Sequence, residues 1–296
     1  MFKDDNKSPI LKPIFGAVDG IGASKTAVVD LPTQATYLDL SLECRIGGGA
    51  GALATRANFQ SFFTGIRCTL DGREQWNLTA TQLIALVEFY RTGLIGDTGF
   101  LAIPLQRLWM NDYAAQEGPA WGTLGRSSFQ LEITQSAGTT IDYIQPWARL
   151  GTVAEELGAY IRPLRFTPTI NSAGQFTYQN LRKVKGEFLY ALHFQIPTVA
   201  DLTNIQVLCD EIQIANVNQG ILARYYTESN PNRTPQTANG FVHLDFCSRN
   251  IDEDAVPMTM DQIIVLLTFA NAPVGQVNII GEYGVRAPAV GTVQGQ

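Results

Sequence analysis

The stretches IRCTLDGREQWNLTATQL (residues 66–83) and IQVLCDEIQIANVNQGIL (residues 205–222) align without a gap at an offset of 139. Ile66, Cys68, Asp71, Asn77, Thr79 and Leu83 fall on Ile205, Val207, Asp210, Asn216, Asn218 and Leu222. Each reads as a strand, an acidic turn and a capped helix. In the first copy Thr79 and Gln82 form a capping box, Leu83, Leu86, Val87 and Tyr90 make one apolar stripe, and Gly93 stands where a helix stops. In the second, a helix starting at Asn218 places Ile221, Leu222 and Tyr225 on one side.

Outward from this pair the parallel continues. Gly99-Phe100-Leu101 matches Gly240-Phe241-Val242, each opening an alternating strand, and Phe129–Ile133 matches Val265–Phe269 loosely. Strict alternation also marks Leu38, Leu40, Leu42 and Cys44 against Asp39, Ser41 and Glu43, and recurs at Tyr190, Leu192, Phe194 and Ile196. Such strands bury one face and belong to antiparallel sheets. Two copies at this long period indicate duplicated domains, because solenoid units are only about 20–50 residues long. The expected fold is all-β, two tandem eight-stranded jelly rolls with short helices in the loops. Immunoglobulin-like sandwiches compete but lack the embedded capped helix.

The expected divisions are an N-terminal arm at 1–30, a first jelly roll at 31–140, a linker at 141–160, a second jelly roll at 161–290 and a tail at 291–296. The arm lacks sustained periodicity, and regular structure is expected after Pro32. Within the linker, Thr152 and Glu155 read as a capping box opening a short helix that ends near Gly158.

The 296 residues carry a net charge of −6, with only 16% charged side chains. Soluble proteins average about 25%, so much of this surface is expected to meet other protein. The acidic balance, with a pI near 5.0, argues against sequence-specific nucleic-acid binding. Lys3, Lys7 and Lys12, and the group Arg182, Lys183 and Lys185, are local basic exceptions that read as solvated charge. Cys44, Cys68, Cys209 and Cys247 show no CxxC spacing and read as reduced core residues. The first ten residues lack the apolar run of a signal peptide, so synthesis in cytoplasm is expected and the sequons at Asn77 and Asn232 carry little meaning.

Several constellations suggest chemistry, each with a plainer account. Gly47–Ala54 contains GxGxxA, with Asp71 twenty residues past Gly51, as in a dinucleotide site. The preceding strand alternates, whereas a central parallel strand is apolar on both faces, so a flexible loop is expected. His193 and His243 occupy polar strand positions without metal spacing and are expected to face outward. Asp142, Glu155 and Glu156 sit at no recognisable glycosidase motif. Asp252, Glu253 and Asp254 offer oxygens to a structural Ca2+, but the spacing is not that of a dedicated calcium loop. No residue is assigned a catalytic, cofactor-binding or metal-binding role, and no enzyme is expected.

The order of motifs resembles the major capsid proteins of the corticovirus type, membrane-containing icosahedral bacteriophages of the wider double jelly-roll lineage. The likeness lies in Leu31-Pro32-Thr33-Gln34-Ala35-Thr36-Tyr37, in Ile66–Arg73 with its helix, and in Ile279-Ile280-Gly281-Glu282-Tyr283-Gly284-Val285, covering about residues 15 to 288. The segment Gly47–Gln60 and a Gly- and Thr-rich linker are longer than the family pattern. The resemblance implies a homotrimer whose six jelly rolls form a pseudo-hexagonal tile. It implies as partners neighbouring capsomers, penton and minor capsid proteins, and an internal viral membrane. It places the protein in the virion capsid, assembled in the bacterial host cytoplasm. The competing functions are a carbohydrate- or receptor-binding spike jelly roll, with Trp109 and Trp121 as candidate aromatics, and a nucleotide-dependent or glycoside-cleaving enzyme.

Overall fold

The computed structural model describes residues 10–14, 18–90, 99–107, 109–111, 116–230 and 233–286. Lys3, Lys7, Gly93, Asn232 and the tail at 291–296 lie outside them.

Every strand pairing is antiparallel, and each half of the chain forms two facing sheets. In the first half, β1 (Ile10–Pro13), β11 (Tyr143–Leu150) and β4 (Thr36–Ile46) lie side by side, and β4 also pairs with β5 (Ala52–Leu53), β8 (Phe100–Pro104) and β9 (Trp121–Gly122). Facing this sheet, β2 (Val18–Asp19), β3 (Thr26–Leu31), β10 (Phe129–Gln135), β6 (Phe63–Leu70) and β7 (Arg73–Leu78) follow in that order. The second half repeats the plan. One sheet runs β12 (Ala159–Phe166), β20 (Asn278–Arg286), β14 (Phe188–Gln195) and β17 (Phe241–Asp245), with β18 (Val256–Pro257) also on β14. The other runs β13 (Gly174–Tyr178), β19 (Ile263–Phe269), β15 (Leu202–Cys209) and β16 (Ile212–Val217). Each half is thus an eight-stranded jelly roll with two-residue strands added, the all-β fold read from the sequence.

The duplication holds at the level of register. Ile66 pairs with Leu78 and Cys68 with Trp76, then the ladder bulges after Cys68. Ile205 pairs with Val217 and Val207 with Ala215, and the ladder bulges after Val207. Asp71 and Asp210 both take the left-handed conformation, φ 51° and 46°. Aspartate is among the residues that visit this region most readily, and both carboxylates are held by amides more than fifty residues away in sequence. Asp71 Oδ1 accepts from the Ser127 and Ser128 amides, and Asp210 Oδ1 from the Gln262 amide. The Thr79–Gln82 box forms reciprocally, and the Asn218 side chain caps its helix through the Ile221 amide.

Five sequence expectations need correction. Phe129 and Leu131 pair with Leu70 and Cys68 as Ile263 and Val265 pair with Cys209 and Val207, so the last strands match Phe129–Ile133 with Ile263–Leu267, two residues from the expected alignment. Regular structure starts before Pro32: β1, β2 and all of β3 but Leu31 lie within the stretch read as an arm. The linker contains β11 and the start of β12. Residues 151–158 form no helix, because the first barrel takes their backbone groups. Gly151 donates to the Thr36 carbonyl, Glu155 to Thr36 Oγ1, and Leu124 to the Glu155 carbonyl. Finally, Gly47–Gln60 is not only loop. It leads into α1 (Arg56–Phe62), capped by a Thr55–Asn58 box that the sequence reading missed.

The two longer helices differ in their surroundings. In α2 (Ala80–Tyr90), Ile84 and Phe89 are buried beside the expected stripe, leaving no wide polar face. In α3 (Gln219–Ser229), Leu222 and Tyr226 face the core, whereas Ile221 and Tyr225, expected with Leu222, are exposed.

Candidate functional site

A strand's polar phase normally faces water. In the β14 sheet it does not, because the end of α2 from the first barrel lies on it. His193 and His243, opposite each other on β14 and β17, are 0% and 3% exposed, which corrects the expectation that they face outward. Their Nδ1 atoms approach to 2.7 Å, so one donates and the other accepts. Phe89 stacks on the His243 ring at 4.1 Å between centroids, and its carbonyl accepts from the Thr234 amide. Gln82 donates to Gln195 at 2.8 Å, and Tyr90 OH to Glu282 Oε2 at 2.5 Å. Arg107 lies over the Tyr190 ring, and Arg233 pairs with Asp245 at 2.7 Å beneath the Tyr90 ring.

Nearby, Tyr160 OH donates to Gln75 and Arg162 to the Gln75 carbonyl, which joins β12 to β7. A cavity of about 50 Å³ remains between the barrels, lined by Trp76, Leu86, Trp109 and Glu282 among others. This junction is what the sequence reading missed. The adjacent aromatics Phe89 and Tyr90 were a usable signal, since neighbours about 100° apart on a helix imply cover on more than one side.

Burial, and then His193, hold the His243 imidazole well below its usual 6.5. Burial raises the Glu282 carboxyl, but its bonds to His193 and Tyr90 outweigh this and leave it lowered. A depressed histidine binds fewer protons folded than unfolded, so its stabilisation is complete above pH 6.5 and fades as pH falls below that value. The lowered Glu282 acts in the same direction below 4.5. Urea midpoints should therefore fall between about pH 7.5 and about pH 5.5, at up to ~1.4 kcal/mol per pH unit from His243. A flat profile over that window would show that His243 need not stay neutral in the folded protein.

The other sequence candidates scatter. The amides of Gly47 and Gly48 point at an anion, but it is the carboxylate of Asp142, at 3.1 and 2.9 Å. Tyr143 packs beside Gly49, and the loop closes an antiparallel sheet, so it is not a nucleotide cradle. Glu155 and Glu156 lie in the connector against Gly122, where a Cβ would meet their carbonyl oxygens at 2.5 and 2.4 Å. Asp254 is paired with Arg249, and among the described residues no three acidic, histidine or cysteine side chains form a cation cage. Arg182 is paired with Glu187, and Lys183 donates to the Asp261 carbonyl. All four cysteines are buried. Trp121 is buried against Phe129 and Tyr160 and offers no open ring to a sugar, and the partly exposed Trp109 stacks on Tyr90 at 4.0 Å.

Elsewhere, exposed apolar residues of the second barrel include Ile212 (69%) and Ile214 (40%) on β16 and Ile221 (58%) and Tyr225 (40%) on α3.

Two family models match the chain, "Viral coat protein P2 N-terminal domain" over residues 16–152 and "Viral coat protein P2 C-terminal domain" over residues 160–285. A search of curated proteins gives no match. Among solved structures, the major capsid protein P2 from bacteriophage PM2 superposes with a TM-score of 0.81 at 14% identity, covering 96% of this chain and 100% of that one. The major capsid protein of Sulfolobus turreted icosahedral virus gives 0.67 at 10% identity, covering 95% and 97%. VP54 of PBCV-1 gives 0.60 at 10%, covering 98% and 99%.

Proposed function

This chain belongs to the viral coat protein P2 family and is a viral major capsid protein, and from that premise we propose that three copies close into one pseudo-hexagonal tile of an icosahedral shell. One observation carries the proposal. Inside the chain, the α2 face of one barrel meets the β14 sheet of the other, two different surfaces in contact. Between identical subunits a contact of this head-to-tail kind closes into a ring or propagates, and the internal repeat gives each barrel a counterpart of both surfaces. Three two-barrel chains supply six lobes. A tile walled by neighbours also accounts for the low charge density.

The barrels are best divided at 10–150 and 159–286, with 151–158 as the connector. The shell lies over an internal viral membrane and meets penton and minor capsid proteins at its vertices. Synthesis and assembly take place in the bacterial host cytoplasm. Lys3, Lys7 and Lys12 favour anionic lipid modestly; of these, Lys12 is exposed on β1. Loss of membrane retention on deleting residues 2–9 is the expected result, and unchanged retention would remove the arm from this role. No catalytic residue is assigned, and the buried Trp121 and the stacking of Trp109 on Tyr90 weigh against a sugar-binding spike.

Native mass measurement tests the tile. Chains of 32.4 kDa should appear as a species of about 97 kDa. A monodisperse monomer at high concentration would refute the trimer.

A further inference from the structure

The internal repeat carries more than the existence of a ring, because it identifies which residues meet across copies. Take the β14 sheet, which α2 covers. Ile280, His193 and His243 form one row across β20, β14 and β17, and Asn278, Gln195 and Phe241 form the next. In the first barrel the same positions are Trp147, Ser41 and Ala102, then Gln145, Glu43 and Phe100, across β11, β4 and β8. Trp147, Ser41, Ala102, Gln145 and Phe100 are all partly exposed, with no second barrel of the same chain assigned to cover them. Trp147 begins the first of these rows, its indole N–H donating to Glu43 of the second.

The complementary surface follows from the same repeat. At the offset of 139, confirmed by the matching bulges and caps, Gln82 of α2 corresponds to Ile221 of α3, Leu86 to Tyr225, Gln75 of β7 to Ile214 and Arg73 to Ile212. Gln82 and Gln75 are buried, at 1% and 9% exposure, through their bonds to Gln195 and Tyr160 of the second barrel. Their counterparts Ile214 and Ile221 are apolar and exposed. Positions that are glutamine where a partner is built into the chain are isoleucine where none is. Exposed apolar clusters of this kind mark contact surfaces.

We propose that the β16–α3 ridge, Ile212, Ile214, Ile221 and Tyr225, docks on the outer face of the β4 sheet around Trp147 of a second copy of this chain. This rests on the trimer reading and assigns its contact. The counterpart of Phe89 is Glu228, so the contact between copies lacks the stacked aromatic that locks the internal junction. Copies therefore separate before barrels do.

The test combines two variants of the full chain. Ile221→Asp with Tyr225→Asp alters exposed positions only. It should leave the circular dichroism spectrum intact while raising the dissociation constant at least about tenfold, equivalent to 1.4 kcal/mol. Second, Ile221→Cys with Ser41→Cys is treated with a flexible bis-maleimide, since a direct disulfide needs Cα atoms within about 7 Å. The native cysteines are buried and give little background. Covalent dimers and trimers should form in the double variant and in neither single variant. A trimer that survives both aspartates, a trimeric double-cysteine variant that gives no ladder, or a ladder from Ile221→Cys alone would each overturn this contact and leave the trimer itself standing. If the aspartate variant misfolds, the cross-linking result decides. An unmodified chain that stays monomeric defeats the trimer reading, and this contact with it.

Discussion

Replacing Phe89 with alanine should lower the unfolding free energy by about 3–5 kcal/mol, the range for deleting a fully buried phenylalanine where neighbours cannot collapse into the space. The ring is 0% exposed. It stacks on His243 and meets Tyr226 edge-on at 5.1 Å and Tyr90 at 4.9 Å. Each of these neighbours is held by another bond: Tyr90 to Glu282, Tyr226 to the Asp245 amide, and His243 to His193. None can shift to fill the gap without breaking one. The loss should also uncouple the barrels, because Phe89 belongs to the first and touches the second. Denaturant unfolding of Phe89→Ala should show a lower midpoint and a broadened or biphasic transition. A change under about 1 kcal/mol with a single sharp transition would mean that the junction contributes little to cooperativity.

Asp245→Ala is the second large effect, and its cause is electrostatic. Arg233 and Asp245 have side chains 0% and 1% exposed, with Nε to Oδ2 at 2.7 Å. Burial pushes the Asp245 carboxyl up, and Arg233 pulls it back down. Removing the carboxylate takes its ion-pair partner from a fully buried guanidinium and should cost about 3–5 kcal/mol, whereas replacing a whole buried pair by apolar residues is often neutral or stabilising by about 1–4 kcal/mol. The double variant Arg233→Met with Asp245→Leu should therefore recover most of the stability lost in Asp245→Ala. Thermal melts of the three proteins decide the matter. Equal destabilisation of single and double variants would show that the pair's geometry, including the bond from the Cys247 amide to Asp245, matters more than its charge.

Both experiments address a region that the sequence pattern placed only in part. The alternation correctly turned His193 and His243 away from the core of their own barrel. It could not reveal that α2, more than a hundred residues earlier, lies over them and makes a solvent face into an interior one. Glu282 and Asp245, on the same face, are buried for the same reason. The Thr152–Glu155 capping box failed differently. Its local chemistry favours a helix, but Thr36 and Leu124 take the backbone groups that a helix would use.

What the residues determined by themselves is the unit repeated twice: strand, aspartate turn, capped helix. Each part is fixed by chemistry within a few positions, such as an aspartate that accepts a left-handed turn, a side chain that caps the amides just after it, or alternation that buries one face. Tertiary structure alone decided which of the two copies has a covered face. Covering depends on contact between barrels, and two segments with one local pattern carry no record of what stands opposite them. Buried Gln82 on α2 and exposed Ile221 at the same place on α3 are the clearest instance, since only the second barrel's presence over the first separates their environments.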